Sequence, residues 1–244
     1  MALWRRTRLL LFVSVLCVVF TGSASALQFF GVEEEIRIGS DIAAELEAEH
    51  GLYHHRSWNA RIDRMGNELA AVSARPDLPY TFRILDDDQI NALAVPGGFI
   101  YVYRGLFDAI DTNDELAAVL AHEVAHVANR HGMNQLERNL IVSLGLGLVL
   151  RLVFGADGQS LLWDLASGLG MDLLIKGYSR ENEFDADRTG IHLMQRAGYD
   201  PRGMISFLEK LQRMEARQPS RLAVWFSTHP PTHERIDAIE AAIR

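Results

Sequence analysis

With 32 acidic against 24 basic residues in a chain of 244, and a formal net charge of −8, the protein lacks the basic character of a nucleic-acid binder. A hydrophobic fraction of 48 % excludes a chain that stays disordered, and a single cysteine excludes a disulfide framework.

The chain starts with Arg5, Arg6 and Arg8, then an apolar run from Leu9 to Phe20, then Ala24-Ser25-Ala26. Charged, apolar and small-residue segments in that order make a secretory signal. Twelve apolar residues reach only about 18 Å as a helix, short of the roughly 30 Å hydrocarbon core. The expectation is a signal peptide over residues 1–26, cleaved before Leu27, and a location in the bacterial periplasm. Cys17 falls inside that segment. Residues 27–244 suffice for a single well-buried domain.

Val32 to His50 and Trp58 to Ser73 have the spacing of amphipathic helices. Tyr80 to Leu85 alternates and predicts a strand, and Phe99 to Tyr103 predicts a second one, entered through Pro96-Gly97-Gly98. Thr112-Asn113-Asp114-Glu115 is a capping box, with Thr112 as N-cap and Glu115 three residues on. The apolar helix it opens runs for about 17 residues, with Gly132 as its stop. Residues 139–176 hold two apolar arms, Leu140 to Phe154 and Leu161 to Ile175, around the turn Gly155-Ala156-Asp157-Gly158. They predict an inserted helical hairpin whose arms, about 22 Å each, are short for a membrane span. Its surface lies either on a membrane or membrane-protein clients, or against the protein's own core. Asp200-Pro201 opens a helix to about Arg217, and a last helix begins near Pro231.

Inside the capped helix stands His122-Glu123-Val124-Ala125-His126. Residues four apart share a helix face, so His122 and His126 can hold one metal ion, and Glu123 can reach a water beside it. Two imidazoles and a general base in this spacing are the signature of zinc peptidases. The plain alternative is a pair of core histidines, which would bury three polar groups on one turn with nothing to offset their desolvation. A catalytic zinc needs a third protein ligand and an open position. The metzincin pattern would place glycine at 129 and histidine at 132, where the chain has Asn129 and Gly132. His131, about 140° around the helix from His126, is expected to lie outside the site. The best source of a third ligand is Ser179 to Asp187, where Glu183 and Asp187 are again one turn apart. One carboxylate can bind the metal while the other accepts the free N–H of a ligand histidine. Alternatively they are a solvated acidic helix start.

His122 to His126 followed by Ser179-Arg180-Glu181-Asn182-Glu183-Phe184-Asp185-Ala186-Asp187 resembles metallopeptidase family forty-eight, the HtpX and type-I CAAX prenyl protease group. Asn91 to Tyr101 is similar to that family's strand beside the site, and Ser227 to Ile236 to its later His-Pro segment. Asp185 departs from the family's usual glutamate. The resemblance implies a predominantly helical α+β, zincin-like fold with a small sheet beside the motif helix. It implies one Zn²⁺ per chain on His122, His126 and Glu183, with Glu123 catalytic and Asp187 supporting a ligand. It also places His229 near the metal, as a gating fourth ligand or as an oxyanion donor; the plain alternative is a loop residue that caps the final helix. The strand Gly98-Phe99-Ile100-Tyr101 is expected to present an edge to an extended polypeptide. The branch implied is the periplasmic one typified by BepA and LoiP. The expected activity is endoproteolysis of misfolded or misassembled envelope proteins. The alternative is a chaperone or assembly factor whose zinc site is latent or structural.

Overall fold

The computed structural model describes residues 30–140, 177–229 and 233–244. The signal segment over 1–26 and nearly all of the hairpin over 139–176 lie outside these residues. The fold is α+β and predominantly helical, with a small mixed sheet.

Helix α1, Val32–His50, starts with Glu33, Glu34 and Glu35, which favour the positive end of the helix dipole. It buries Ile38, Ile42 and Leu46, one turn apart. Helix α2, Arg56–Ala71, begins two residues before the expected Trp58, because the His55 ring accepts a hydrogen bond from Trp58 N. It buries Ile62, Met65 and Leu69.

Strands β1 (Thr81–Leu85), β2 (Ala92–Val95) and β3 (Phe99–Tyr103) form a sheet in the order β1-β3-β2. β1 runs parallel to β3, and β2 antiparallel. The expectation that Gly98, Phe99, Ile100 and Tyr101 offer an edge is therefore corrected. β3 is the central strand, and both of its sides are taken by neighbours. The edges of the sheet are β1, part of which is bridged by Leu52, and β2, which shows no alternation in the sequence because all four of its residues are buried. The turn from β2 into β3 needs Gly97, whose φ is +82° and whose Cβ would stand 2.7 Å from the Ile36 Cα of α1.

Helix α3, Asn113–Ala128, carries the capping box as expected. Thr112 Oγ1 accepts from Glu115 N, and Glu115 Oε2 accepts from Thr112 N. Every residue from Glu115 to Ala128 is buried, under α2, β2 and two later helices: α4 (Arg180–Ala197) and α5 (Arg202–Glu215). α3 does not run on to Gly132. It ends at Ala128, Arg130 takes a left-handed φ of +56°, and a second helical stretch covers 131–140. The guanidinium of Arg130 donates to Glu35 Oε2 at 2.8 Å, which holds this bend from the far side of the fold.

α5 opens one residue after the expected proline, with Asp200 Oδ1 accepting from Arg202 N. Helix α6 (Pro219–Thr228) had no counterpart among the expected elements, and α7 (His233–Ile243) closes the chain. Among the described residues no helix is long and apolar enough to cross a membrane.

Candidate metal centre

α3 and α4 pack closely against each other, and Gly190 permits it. A Cβ there would lie 3.4 Å from His122 N and 3.1 Å from the Met204 side chain. This approach sets Glu183 and Asp187 of α4 against His122 and His126 of α3. The two Nε2 atoms of the histidines stand 3.0 Å apart. Glu183 Oε2 is 3.5 Å from His122 Nε2, and its Oε1 is 3.4 Å from His126 Nε2. His229, just past the end of α6, turns its ring inward and brings Nε2 to 3.4 Å from Glu123 Oε1. One ligand atom from each of His122, His126, Glu183 and His229 falls within 4.8 Å of the other three.

All four residues and Glu123 are buried, Glu123 completely (0 % exposed). Both Glu123 oxygens, Glu183 Oε1 and His229 Nε2 lack a well-directed hydrogen bond among the described residues. Leaving such atoms buried and unsatisfied costs about 1–3 kcal/mol each, and more for charged ones. A cation among them would meet that cost, so the donor set fits a metal ion.

Asp187 and Arg235 complete the surroundings. Asp187 Oδ1 accepts from His122 Nδ1 at 3.1 Å. Arg235 of α7 donates twice to Asp187, at 2.7 Å each, and once to Glu183 Oε2 at 2.8 Å. The sequence marks Arg235 only as part of the His-Pro segment and gives it no role of its own. Its side chain arrives from another helix, which spacing along the chain does not reveal. Tyr178 was also unforeseen. Its ring stacks on His126 with centroids 3.9 Å apart, and its hydroxyl donates to Ala94 O of β2 at 3.3 Å.

His131 stays outside the ligand set, as expected, but not at the place that an unbroken helix would give it. The bend at Arg130 carries it off the helical path assumed from sequence, and its Nδ1 lies 3.0 Å from His126 Nδ1. The residues between His229 and the final helix lie outside the described ones, and so does the reading of His229 as a cap of that helix. His229 Nδ1 pairs with Thr228 Oγ1 at 2.9 Å, and its ring packs on Trp225.

The charges set the protonation states. Burial would lower the pKa of His122, but the negative charges of Glu183 and Asp187 outweigh it and lift the pKa to about 10. Burial lowers that of His126 to about 4, the charged His122 adding to the effect. Burial would raise both glutamates. The neighbouring histidines instead hold Glu123 below the usual carboxylate range and Glu183 well below it. The centre therefore holds ionised carboxylates at neutral pH, with the metal-free protein keeping one proton on His122.

Residues 56–243 match the profile of Peptidase family M48. The chain belongs to that family. The motifs around His122 and Glu183 had pointed to it. Among family relatives, the beta-barrel assembly-enhancing protease of Yersinia pestis is 32 % identical over 218 residues, covering 87 % of this chain and 44 % of the relative. The mitochondrial metalloendopeptidase OMA1 of Schizosaccharomyces pombe is 33 % identical over 213 residues, or 84 % of this chain and 60 % of that protein. The metalloprotease LoiP of Escherichia coli is 31 % identical over 163 residues, or 66 % and 62 %. The chain thus spans less than half the length of the first of these relatives.

Proposed function

We propose that the chain is a zinc-dependent endopeptidase that cleaves misfolded or misassembled proteins of the bacterial envelope. The observation that carries this reading is the convergence of His122, His126, Glu183 and His229 on one buried point beside an unsatisfied Glu123. In it, His122, His126 and Glu183 hold Zn²⁺. The metal, when bound, polarises a peptide carbonyl and brings the pKa of a bound water down to about 7. Glu123, kept ionised by the imidazoles around it, takes a proton from the attacking water and delivers it to the leaving amine. Asp187, clamped by Arg235, accepts from His122 Nδ1 and so keeps the Nε2 lone pair of that ring free for the metal.

The extended substrate adds to the edge of β2 rather than to β3. Asn91 O faces β3, where it accepts from Tyr103 N, so in the alternating ladder Ala92 and Ala94 face outward. Ala94 O accepts from Tyr178, whose ring stacks on His126, and a substrate must displace that hydroxyl from it.

His229 acts as a fourth protein ligand of the resting enzyme, a role favoured by the grouping of its ligand atom with the other three. The same observation favours the second reading, a zinc-containing assembly factor with a closed metal site, since four protein ligands are the mark of structural zinc. Residues 1–26 serve as a signal peptide that directs a single domain, 27–244, to the periplasm. The segment 139–176 offers the contact with a membrane surface or with outer-membrane clients. The beta-barrel assembly-enhancing name of one relative supports that class of client.

The test is incubation of purified protein with unfolded outer-membrane proteins, with and without a zinc chelator. Chelator-sensitive cleavage supports the peptidase. Zinc binding with suppression of aggregation and no cleavage supports the assembly factor.

A further inference from the structure

The two histidines of the centre are backed differently. His122 Nδ1 meets a carboxylate directly, that of Asp187. His126 Nδ1 meets another imidazole, His131 Nδ1, at 3.0 Å. Beyond it, His131 Nε2 lies 3.2 Å from Asp185 Oδ2. Asp185 is itself held. Asn129 Nδ2 donates to its Oδ2 at 2.6 Å and Arg188 Nη2 to its Oδ1 at 2.8 Å. Asn129 also donates to Thr189 Oγ1 at 2.9 Å, which fixes the amide between α3 and α4.

The geometry allows one assignment of protons once His126 is a ligand. Two facing Nδ1 atoms at this distance share a single hydrogen, since two would clash and none would leave two lone pairs opposed. A neutral imidazole that gives its Nε2 lone pair to a metal carries its hydrogen on Nδ1. His126 therefore donates and His131 accepts. The hydrogen of His131 then sits on Nε2, aimed at Asp185 Oδ2, which as a carboxylate can only accept.

We propose that His131 and Asp185 are positioning residues, which set the tautomer and ring orientation of His126 through a carboxylate–imidazole–imidazole relay to the metal. The proposal rests on the reading of His126 as a metal ligand. It gives a function to the bend at Arg130: on a straight helix His131 would point away, and the left-handed residue returns its ring to His126. It also accounts for Asp185 at a position that is not itself a ligand. His131 is buried, while the Asp185 side chain is 38 % exposed. The relay thus ends near solvent, whereas Asp187 is closed off beneath Arg235.

The test uses the whole chain and zinc itself. Zinc affinity is measured by competition with a chromophoric chelator, and the ligand field by the visible spectrum of the cobalt-substituted protein. His131→Phe keeps a ring and removes the acceptor. His131→Asn keeps an acceptor oxygen near the place of Nδ1. The expected result for the Phe variant is zinc affinity about 10–100-fold weaker and an altered cobalt spectrum, with substantial rescue of both in the Asn variant. Asp185→Ala, changed at a partly exposed position, gives a loss at the low end of that range, about 10-fold, and serves where the Phe variant does not fold. Wild-type affinity and spectrum in a folded Phe variant, or in Asp185→Ala, overturn the relay. A wild-type protein that binds no zinc, or a His126→Ala variant that binds it normally, overturns the ligand reading beneath it.

Discussion

Two buried charge clusters flank α3, and they are balanced differently. Near its C-terminal end, Glu35 is 1 % exposed. It accepts from both terminal nitrogens of Arg75, at 2.8 and 2.9 Å, from Arg130 at 2.8 Å and from Gly97 N at 3.3 Å. Glu137 stands 3.6 Å from the other Arg130 nitrogen and accepts from Phe30 N. Two carboxylates face two guanidinium groups, and Glu35 is fully satisfied. Around the centre, Glu123, Glu183 and Asp187 face Arg235 and, in the metal-free protein, the protonated His122, which leaves one negative charge over, and three of the carboxylate oxygens are without a directed partner among the described residues. The balanced cluster fastens the first turn of α1, the Pro96–Gly98 turn and the bend after α3. The unbalanced one carries an excess of negative charge that a divalent cation would cancel. Burial alone does not separate a structural charge cluster from a functional one. The residual charge and the orphaned carboxylate oxygens do, for the balanced cluster leaves only a donor, Arg130 Nε, without a partner among the described residues.

The sharpest way to break the comparison is to alter one carboxylate in each cluster. Glu123→Gln keeps size and removes the base. Hydrolysis should fall by about 10²–10⁴-fold while zinc content stays at the wild-type level. Unchanged turnover would sink the proposed mechanism. Glu35→Gln should do the reverse. It leaves Arg75 and Arg130 buried beside a neutral amide, and the loss of stability should be about 3–5 kcal/mol, with zinc affinity preserved in the folded fraction. Denaturant melts and metal analysis on the same two variants read both effects.

Ligand identity can be sharpened with three substitutions on α4. Glu183→Gln should weaken zinc binding most. Asp187→Asn should cost about 10–100-fold, because the amide leaves His122 and Arg235 poorly served. Glu181→Gln, outside the centre, should change little. Equal zinc loss in the Glu181 variant would mean that the wrong carboxylate had been assigned.

A smaller effect separates the clusters by pH. In the metal-free protein the pKa of His122 is raised from its ordinary 6.5 to about 10. Its proton therefore stabilises the fold fully below about pH 6.5, and that contribution is lost as pH rises through about 10. Zinc takes the place of that proton. Calorimetry near pH 7.5, repeated in buffers of different ionisation enthalpy, should show about one proton released per zinc bound. The melting temperature of the metal-free protein should drop between pH 7 and 10, and that of the zinc-loaded protein should drop less. Zinc binding without proton release would contradict this protonation state.

The parts of this arrangement that were legible in the sequence are those encoded within a few residues. The capping box at Thr112 and Glu115, the four-residue spacing of His122 and His126, and that of Glu183 and Asp187 are local, and the structure brings these four side chains together. What escaped depends on distant partners. Arg130 adopts its left-handed φ beside Glu35, 95 positions away, so the end of α3 and the true place of His131 were hidden. The strand Phe99–Tyr103 was visible from its composition, but its central position is set by pairing with β1 and β2. β2 itself is buried on both faces and lacks the period of two on which strand recognition rests. Arg235 reaches Asp187 across 48 positions.

His229 offers the smallest and most discriminating change. It belongs to neither helix of the α3–α4 pair, and its ring is held from outside by Thr228 and Trp225. With His229 on zinc, the metal has four protein ligands and no place for water. His229→Ala would open that place, and cleavage of unfolded substrate or of the protein itself should rise severalfold with zinc retained. If the imidazole served the oxyanion instead, the same variant would lose about 10²–10³-fold in rate. The two outcomes have opposite signs, so a single proteolysis assay decides between them. The rise is expected, because the His229 nitrogen groups with the three other ligand atoms. A drop in rate with full zinc content would refute latency and move His229 into the chemical step.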